Sequence, residues 1–154
     1  MGFFPGLKGM LNYHPLFVHF PIAFWLAALL FEVIAVWRSS EEMHRTAARL
    51  LYLGTLAAFF AAGTGLYAEE AVPETGPAHD VMEIHEKFML ITTSLGVGLS
   101  MLAFFCRRNF TRGIQRLFLV GLLALAALLG LGSDRGAQLV YQYATSVHLP
   151  APPK

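Results

Sequence analysis

Charge is scarce in this 154-residue chain: 14% of its residues are Asp, Glu, Lys or Arg, against 56% hydrophobic. Soluble domains carry roughly a quarter charged residues. The composition therefore excludes an ordinary soluble domain and indicates a membrane protein, as does the mean hydropathy of +0.55. Cysteine is nearly missing. Cys106 stands alone, which excludes an internal disulfide and any Cys-x-x-Cys-His haem attachment. A net charge of +1 leaves no basic surplus for nucleic acid. The N-terminus lacks a basic start followed by a short apolar run and a cleavage site, so the first helix is expected to be retained. The alternating pattern of a barrel strand is also missing. Nothing resembles a nucleophile–base triad, a phosphate loop or a two-carboxylate hydrolase site.

What the chain does have is four apolar windows, each long enough for the about 20 residues of helix that cross a hydrocarbon core. They run over about 15–37, 47–68, 81–105 and 114–132. Backbone groups in lipid must be satisfied within the segment, which favours helix. The expected fold is a single all-α domain, an integral membrane four-helix bundle running up-down-up-down. Ser39-Ser-Glu-Glu is a helix-start signature ahead of the second span, and Asp80 is placed to cap the third. Val72 to Pro77 is a turn-rich loop. Ser133-Asp-Arg-Gly136 is expected to break the fourth span, leaving 134–148 as an interfacial tail with Tyr141 and Tyr143.

The charges orient the bundle. One set of loops holds Arg38, Arg45, Arg49, Arg107, Arg108, Arg112 and Arg116, whereas the other, with the termini, holds Lys8, Lys87, Arg135 and Lys154. Short cytoplasmic loops collect Lys and Arg. Both termini are therefore expected in the periplasm of a bacterial inner membrane, on the side that also carries Glu69, Glu70, Glu74, Asp80, Glu83, Glu86 and Asp134.

Histidine is the informative residue. His14 and His19 open the first apolar segment, His79 and His85 open the third, and all four fall on the outer side with His148, while His44 lies inside. Ionisable groups within a span are functional candidates by default. His19 and His85 each lie roughly one turn into their helices, about 6 Å below the helix starts at 1.5 Å per residue. At about 100° per residue, His14 and His19 diverge by roughly 140°, and His79 and His85 by roughly 120°. One ligand per helix is therefore more natural than two, and depth makes His19 and His85 the expected pair, with His14 and His79 as second choices.

Two imidazoles at one depth on different helices suit bis-histidine ligation of haem b, given room for a flat macrocycle. Gly63, Gly65, Gly130 and Gly132 reach the same level and are candidates to open that slot, with Phe17, Phe20, Phe24, Phe88 and Met89 as apolar walls. The same glycines equally suit close helix packing, and a buried imidazole equally suits a hydrogen bond within the bundle. A third alternative is copper or zinc held by these histidines with Asp80 or Glu86. The third window has its apolar body from Phe88 to Phe105 and an amphipathic start near Val81, so Glu32 is the one acid within the apolar body of a span, placed to snorkel or to pair with an arginine such as Arg49.

The run His14-Pro-Leu-Phe-Val-His19-Phe-Pro-Ile-Ala resembles the opening signature of a family of bacterial four-helix membrane proteins of unknown function. The likeness continues in Gly63-Thr-Gly65, in His85 and in Gly136-Ala-Gln-Leu-Val-Tyr141. Members usually have Gly-Gly where this chain has Gly136-Ala137, and often a glycine-rich stretch at Tyr143-Ala-Thr-Ser146. The resemblance implies four helices and a bacterial membrane location, with a similarity to small haem-b membrane cytochromes.

The expected function is electron transfer at the outer face through haem b, as an accessory subunit rather than a stand-alone enzyme. Expected partners are the lipid bilayer, a periplasmic cytochrome or quinone, and a larger membrane complex or homo-oligomer. The alternatives are a non-catalytic structural subunit and a periplasmic-side copper or zinc protein.

Overall fold

The structure is a computed structural model that describes residues 3, 12–69, 75–109, 111–145 and 147. The expected loop at 72–74, the tail beyond 147 with His148, and the end charges Lys8 and Lys154 lie outside the described residues. Among the described residues the fold has four helices: α1 His14–Arg38, α2 Glu41–Glu69, α3 Pro77–Cys106 and α4 Arg112–Tyr143. At 25, 29, 30 and 32 residues, all four are long and apolar enough to cross a membrane. Their lengths of about 38 to 48 Å at 1.5 Å per residue overrun a hydrocarbon core of about 30 Å.

The helix ends explain where the expected boundaries move. Ser39 takes a left-handed φ of 51°, and its N–H bonds the carbonyl of Ala35 to close α1. Ser40 Oγ then accepts from Met43 N at 3.4 Å, so α2 starts at once and runs unbroken into its span. α3 starts at Pro77 behind Gly76, whose φ of 105° favours glycine. Pro77 suits the first helical position because its missing N–H would have no partner there. Asp80 thus falls inside the first turn and does not cap the helix. α4 does not break at Ser133–Gly136. Glycine costs a helix only about 1 kcal/mol, and here the turn is packed: Gly132 and Leu139 are buried. Residues 134–143 of the expected interfacial tail are in fact the last three turns of α4.

The helices form a ring. α1 packs chiefly on α2 and α3 on α4, with α2–α3 and α1–α4 closing it, so α1 faces α3 across a diagonal. The core runs through Ala28, Leu51, Leu99, Phe118, Leu122 and Leu125. At mid-bundle the Trp25 indole lies between two glycines. A Cβ on Gly54 would lie 2.5 Å from its Cδ1, and one on Gly96 would lie 2.8 Å from its Cζ2. The indole Nε1 donates to Thr55 Oγ1 at 3.4 Å. Large apolar side chains such as Leu30, Leu56, Phe59, Ile91, Val120 and Leu123 stay exposed on the outer surface of the ring. Helices apolar on every side belong in lipid.

Candidate functional site

At the end of the bundle where α1 begins, two imidazoles meet across the diagonal. His14 starts α1, and its Nδ1 lies 3.0 Å from the carbonyl oxygen of Ala61 on α2, with Thr64 Oγ1 at 3.3 Å. His85 lies two turns into α3, and its Nδ1 is 2.8 Å from the carbonyl oxygen of Gly132 on α4. A carbonyl can only accept, so in both rings Nδ1 carries a proton, and in the neutral ring Nε2 is the nitrogen that keeps its lone pair. Among the described residues neither Nε2 has a hydrogen-bond partner. The ring centroids are 6.5 Å apart, with planes at 85°.

The two halves of the site repeat each other. Each histidine bonds a carbonyl 47 residues further along the chain. Each ring then rests on the glycine four residues beyond that carbonyl. A Cβ on Gly65 would lie 3.0 Å from His14 Cε1, and one on Gly136 would lie 3.1 Å from His85 Cε1. The α1–α2 and α3–α4 hairpins thus present one imidazole each by the same device: a carbonyl that fixes the tautomer and a bare turn that admits the ring.

This arrangement corrects the expected pairing. His19 is exposed on the outside of the ring, and it is His14 that faces His85. Depth counted from the helix starts was misleading because α3 begins at Pro77, so His85 sits about 12 Å along it, level with the very first residue of α1. The angular argument does hold: with His14 turned to the centre, a residue five positions on points elsewhere. His79 lies beside Glu83, Nε2 to Oε1 3.6 Å, on the flank of α3. Gly63 and Gly130 face open space, where an added Cβ would meet nothing within 4 Å. Gly132 is buried: its missing side chain makes room for Met89 and Phe88, while its carbonyl holds His85. Phe20 is half exposed.

The residues fit a metal bound between the rings in a restricted way. With ring centroids 6.5 Å apart, the two imidazoles are near enough that His14 and His85 would hold one metal ion between them through bonds of about 2 Å. Among the described residues no three His, Cys, Asp or Glu side chains are grouped to hold a metal ion. Two imidazoles fall short of the four ligands of a structural zinc site, and Asp80 and Glu86 do not complete such a set.

Glu32 departs from expectation at the other end of the bundle. It is fully buried, and its Oε2 lies 2.7 Å from His44 Nδ1, not beside Arg49. His44 packs edge-on against Phe118, ring centroids 5.5 Å apart. The turn at Ser39 and Ser40 brings α2 back along α1 and makes this pairing. Gly136, expected from the sequence to break the fourth span, is instead the turn on which the His85 ring rests.

Four apolar helices around a diagonal pair of tautomer-fixed imidazoles define an integral membrane helical bundle with a two-histidine site near one end. No curated protein and no solved structure matches the chain. The family model for predicted membrane proteins of the DUF2231 type matches residues 10–149, and the chain belongs to that family.

Proposed function

We propose that this protein takes up one haem b between His14 and His85 and exchanges electrons with a partner at the end of the bundle where α1 begins. One observation carries the reading: two imidazoles on diagonal helices, each held through Nδ1 by a carbonyl of a neighbouring helix, with centroids 6.5 Å apart. Haem b supplies one-electron chemistry at an iron whose potential follows axial ligation, hydrogen bonding and burial. The chain's own part is to orient and tune. The Ala61 and Gly132 carbonyls place the proton of each neutral ring on Nδ1, which leaves Nε2 as the ligand atom, and raise its basicity, as outer partners of metal-binding histidines do. Phe88 and Met89, packed on α4 at Gly132, limit water on one side.

In this reading the arginine-rich end faces the cytoplasm of a bacterial inner membrane and the histidine end faces the periplasm. The partner is then a periplasmic cytochrome or a membrane quinone. His44, the histidine of the arginine-rich end, is engaged with Glu32, so the chain has no second imidazole pair there. Electron passage across the whole membrane therefore calls for a larger complex.

The test is the absorption spectrum of protein purified in detergent from haem-replete cells. A Soret band that shifts on reduction is expected, lost in both His14→Ala and His85→Ala and kept in His19→Ala. A folded but colourless protein would select the alternative, a structural subunit whose imidazoles only lock the two hairpins. Loss in His19→Ala with retention in His14→Ala would overturn the assignment of ligands.

A further inference from the structure

At the arginine-rich end, α2 and α3 part to leave a cleft of about 620 Å³, within the size range of small-molecule sites. Arg45, Arg49 and Tyr52 line it from α2, Phe104 lines it from α3, and Arg107 and Arg108 line it from just past the end of α3. The parting has a local cause. Ala48 and Ala103 on the two facing walls are too small to fill the seam, and Thr55 Oγ1 meets Ser100 Oγ at 3.1 Å further in, where the seam closes. From Arg45 to Thr55 is about 15 Å of helix at 1.5 Å per residue, the depth of a headgroup and the start of its chains.

The charge in the cleft is unbalanced. Glu41 is the one carboxylate among the lining residues, and it is bonded to Arg45 at 2.6 Å. Arg49, Arg107 and Arg108 have no carboxylate partner among the described residues, although Arg107 lies over the Phe104 ring at 4.7 Å. Guanidinium groups converging from two helices suit a phosphate, which they grip with paired donors. The rim is apolar at Phe104, which is exposed, as are Leu53 and Phe105, the chain neighbours of the lining residues Tyr52 and Phe104. A free phosphate has no use for such a rim, whereas the acyl chains of a lipid do.

We propose that this cleft binds the phosphate of an anionic phospholipid, between Arg49 of α2 and Arg107 and Arg108 just past the end of α3, with the Tyr52 hydroxyl at the ester level and the acyl chains leaving over Phe104 and Phe105. Basic pockets between membrane helices hold lipid headgroups by the same electrostatics. The site is independent of haem uptake at the other end.

The test uses the full chain, stripped of lipid in detergent and offered phosphatidylglycerol, phosphatidylcholine or inorganic phosphate, with bound species counted by native mass spectrometry. One phosphatidylglycerol per chain is expected to survive, with phosphatidylcholine and phosphate not retained. Arg49→Gln with Arg107→Gln is expected to weaken retention about 30-fold, the equivalent of about 1 kcal/mol per arginine. Arg112→Gln with Arg116→Gln changes the same charge at the same end outside the cleft, and is expected to leave retention intact. Ala48→Leu fills the cleft without touching charge and is expected to release the lipid even if the double arginine variant does not fold. Equal loss in both arginine pairs, equal retention of phosphatidylcholine, full occupancy by inorganic phosphate, or retention in Ala48→Leu would each overturn the proposal.

Discussion

Glu32 and His44 close the α1–α2 hairpin from within: a carboxyl with no exposed surface lies 2.7 Å from an imidazole nitrogen across the turn at Ser39 and Ser40. The second oxygen of the carboxyl, Oε1, has no partner among the described residues. His44 is therefore what holds this acid inside the bundle. Breaking a buried pair by removing one partner costs about 3–5 kcal/mol, because the other group stays buried and uncompensated. His44→Ala is expected to lower the melting temperature in detergent markedly. Arg45→Ala, which breaks an exposed pair with Glu41, is expected to change stability by less than about 1 kcal/mol. Equal shifts in the two variants would refute the structural weight given to Glu32.

The glycines of the bundle separate into two kinds. Gly65 and Gly136 lie under the imidazoles of His14 and His85, so a side chain there displaces a ring. Gly65→Leu and Gly136→Leu are each expected to abolish the haem spectrum while circular dichroism still reports a helical bundle. Gly63→Ala and Gly130→Ala place a methyl in open space and are expected to leave the spectrum unchanged.

Trp25 and Gly54 are coupled by contact. Trp25→Ala is expected to cost about 3–5 kcal/mol, the usual loss for a buried aromatic. Gly54→Ala pushes a Cβ to 2.5 Å from the indole and is expected to cost about 1–3 kcal/mol by overpacking. In the Trp25→Ala background the Gly54→Ala penalty is expected to disappear. A double-mutant cycle on unfolding free energies reads this coupling, and simple additivity would contradict the packing described.

Cys106 gives a direct reading of orientation. It ends α3 at the arginine-rich end, is partly exposed and is the one cysteine in the sequence. A membrane-impermeant maleimide is expected to label it in inverted vesicles and not in intact spheroplasts. Labelling in intact spheroplasts would reverse the topology and put the two-histidine site on the cytoplasmic side.

Much of the fold was legible in the chain because the constraint is a solvent property. In hydrocarbon, every long apolar run must satisfy its own backbone, so four runs mean four helices. The helix ends were less legible. Gly136 reads as a breaker in isolation, yet α4 passes through it because the His85 ring takes the space its missing Cβ leaves. Of the site, His85 and the rule of one imidazole per helix came from the sequence. His14 in place of His19 did not.

The pattern of residues along this chain determined a four-span helical membrane protein, an arginine-rich end and a histidine-rich end. Those depend on composition and on the 3.6-residue period, which are local. Tertiary structure decided the vertical register of α3 against α1, and with it which histidine faces His85. It also decided that Glu32 meets His44 and that two carbonyls fix the imidazole tautomers. Register between helices is set by packing across the bundle, Trp25 against Gly54 and Gly96 among the contacts that set it, and no single segment carries that information. The two histidines near the start of the chain are thus placed differently: one turned into the bundle opposite His85, one left exposed on the outside of the ring.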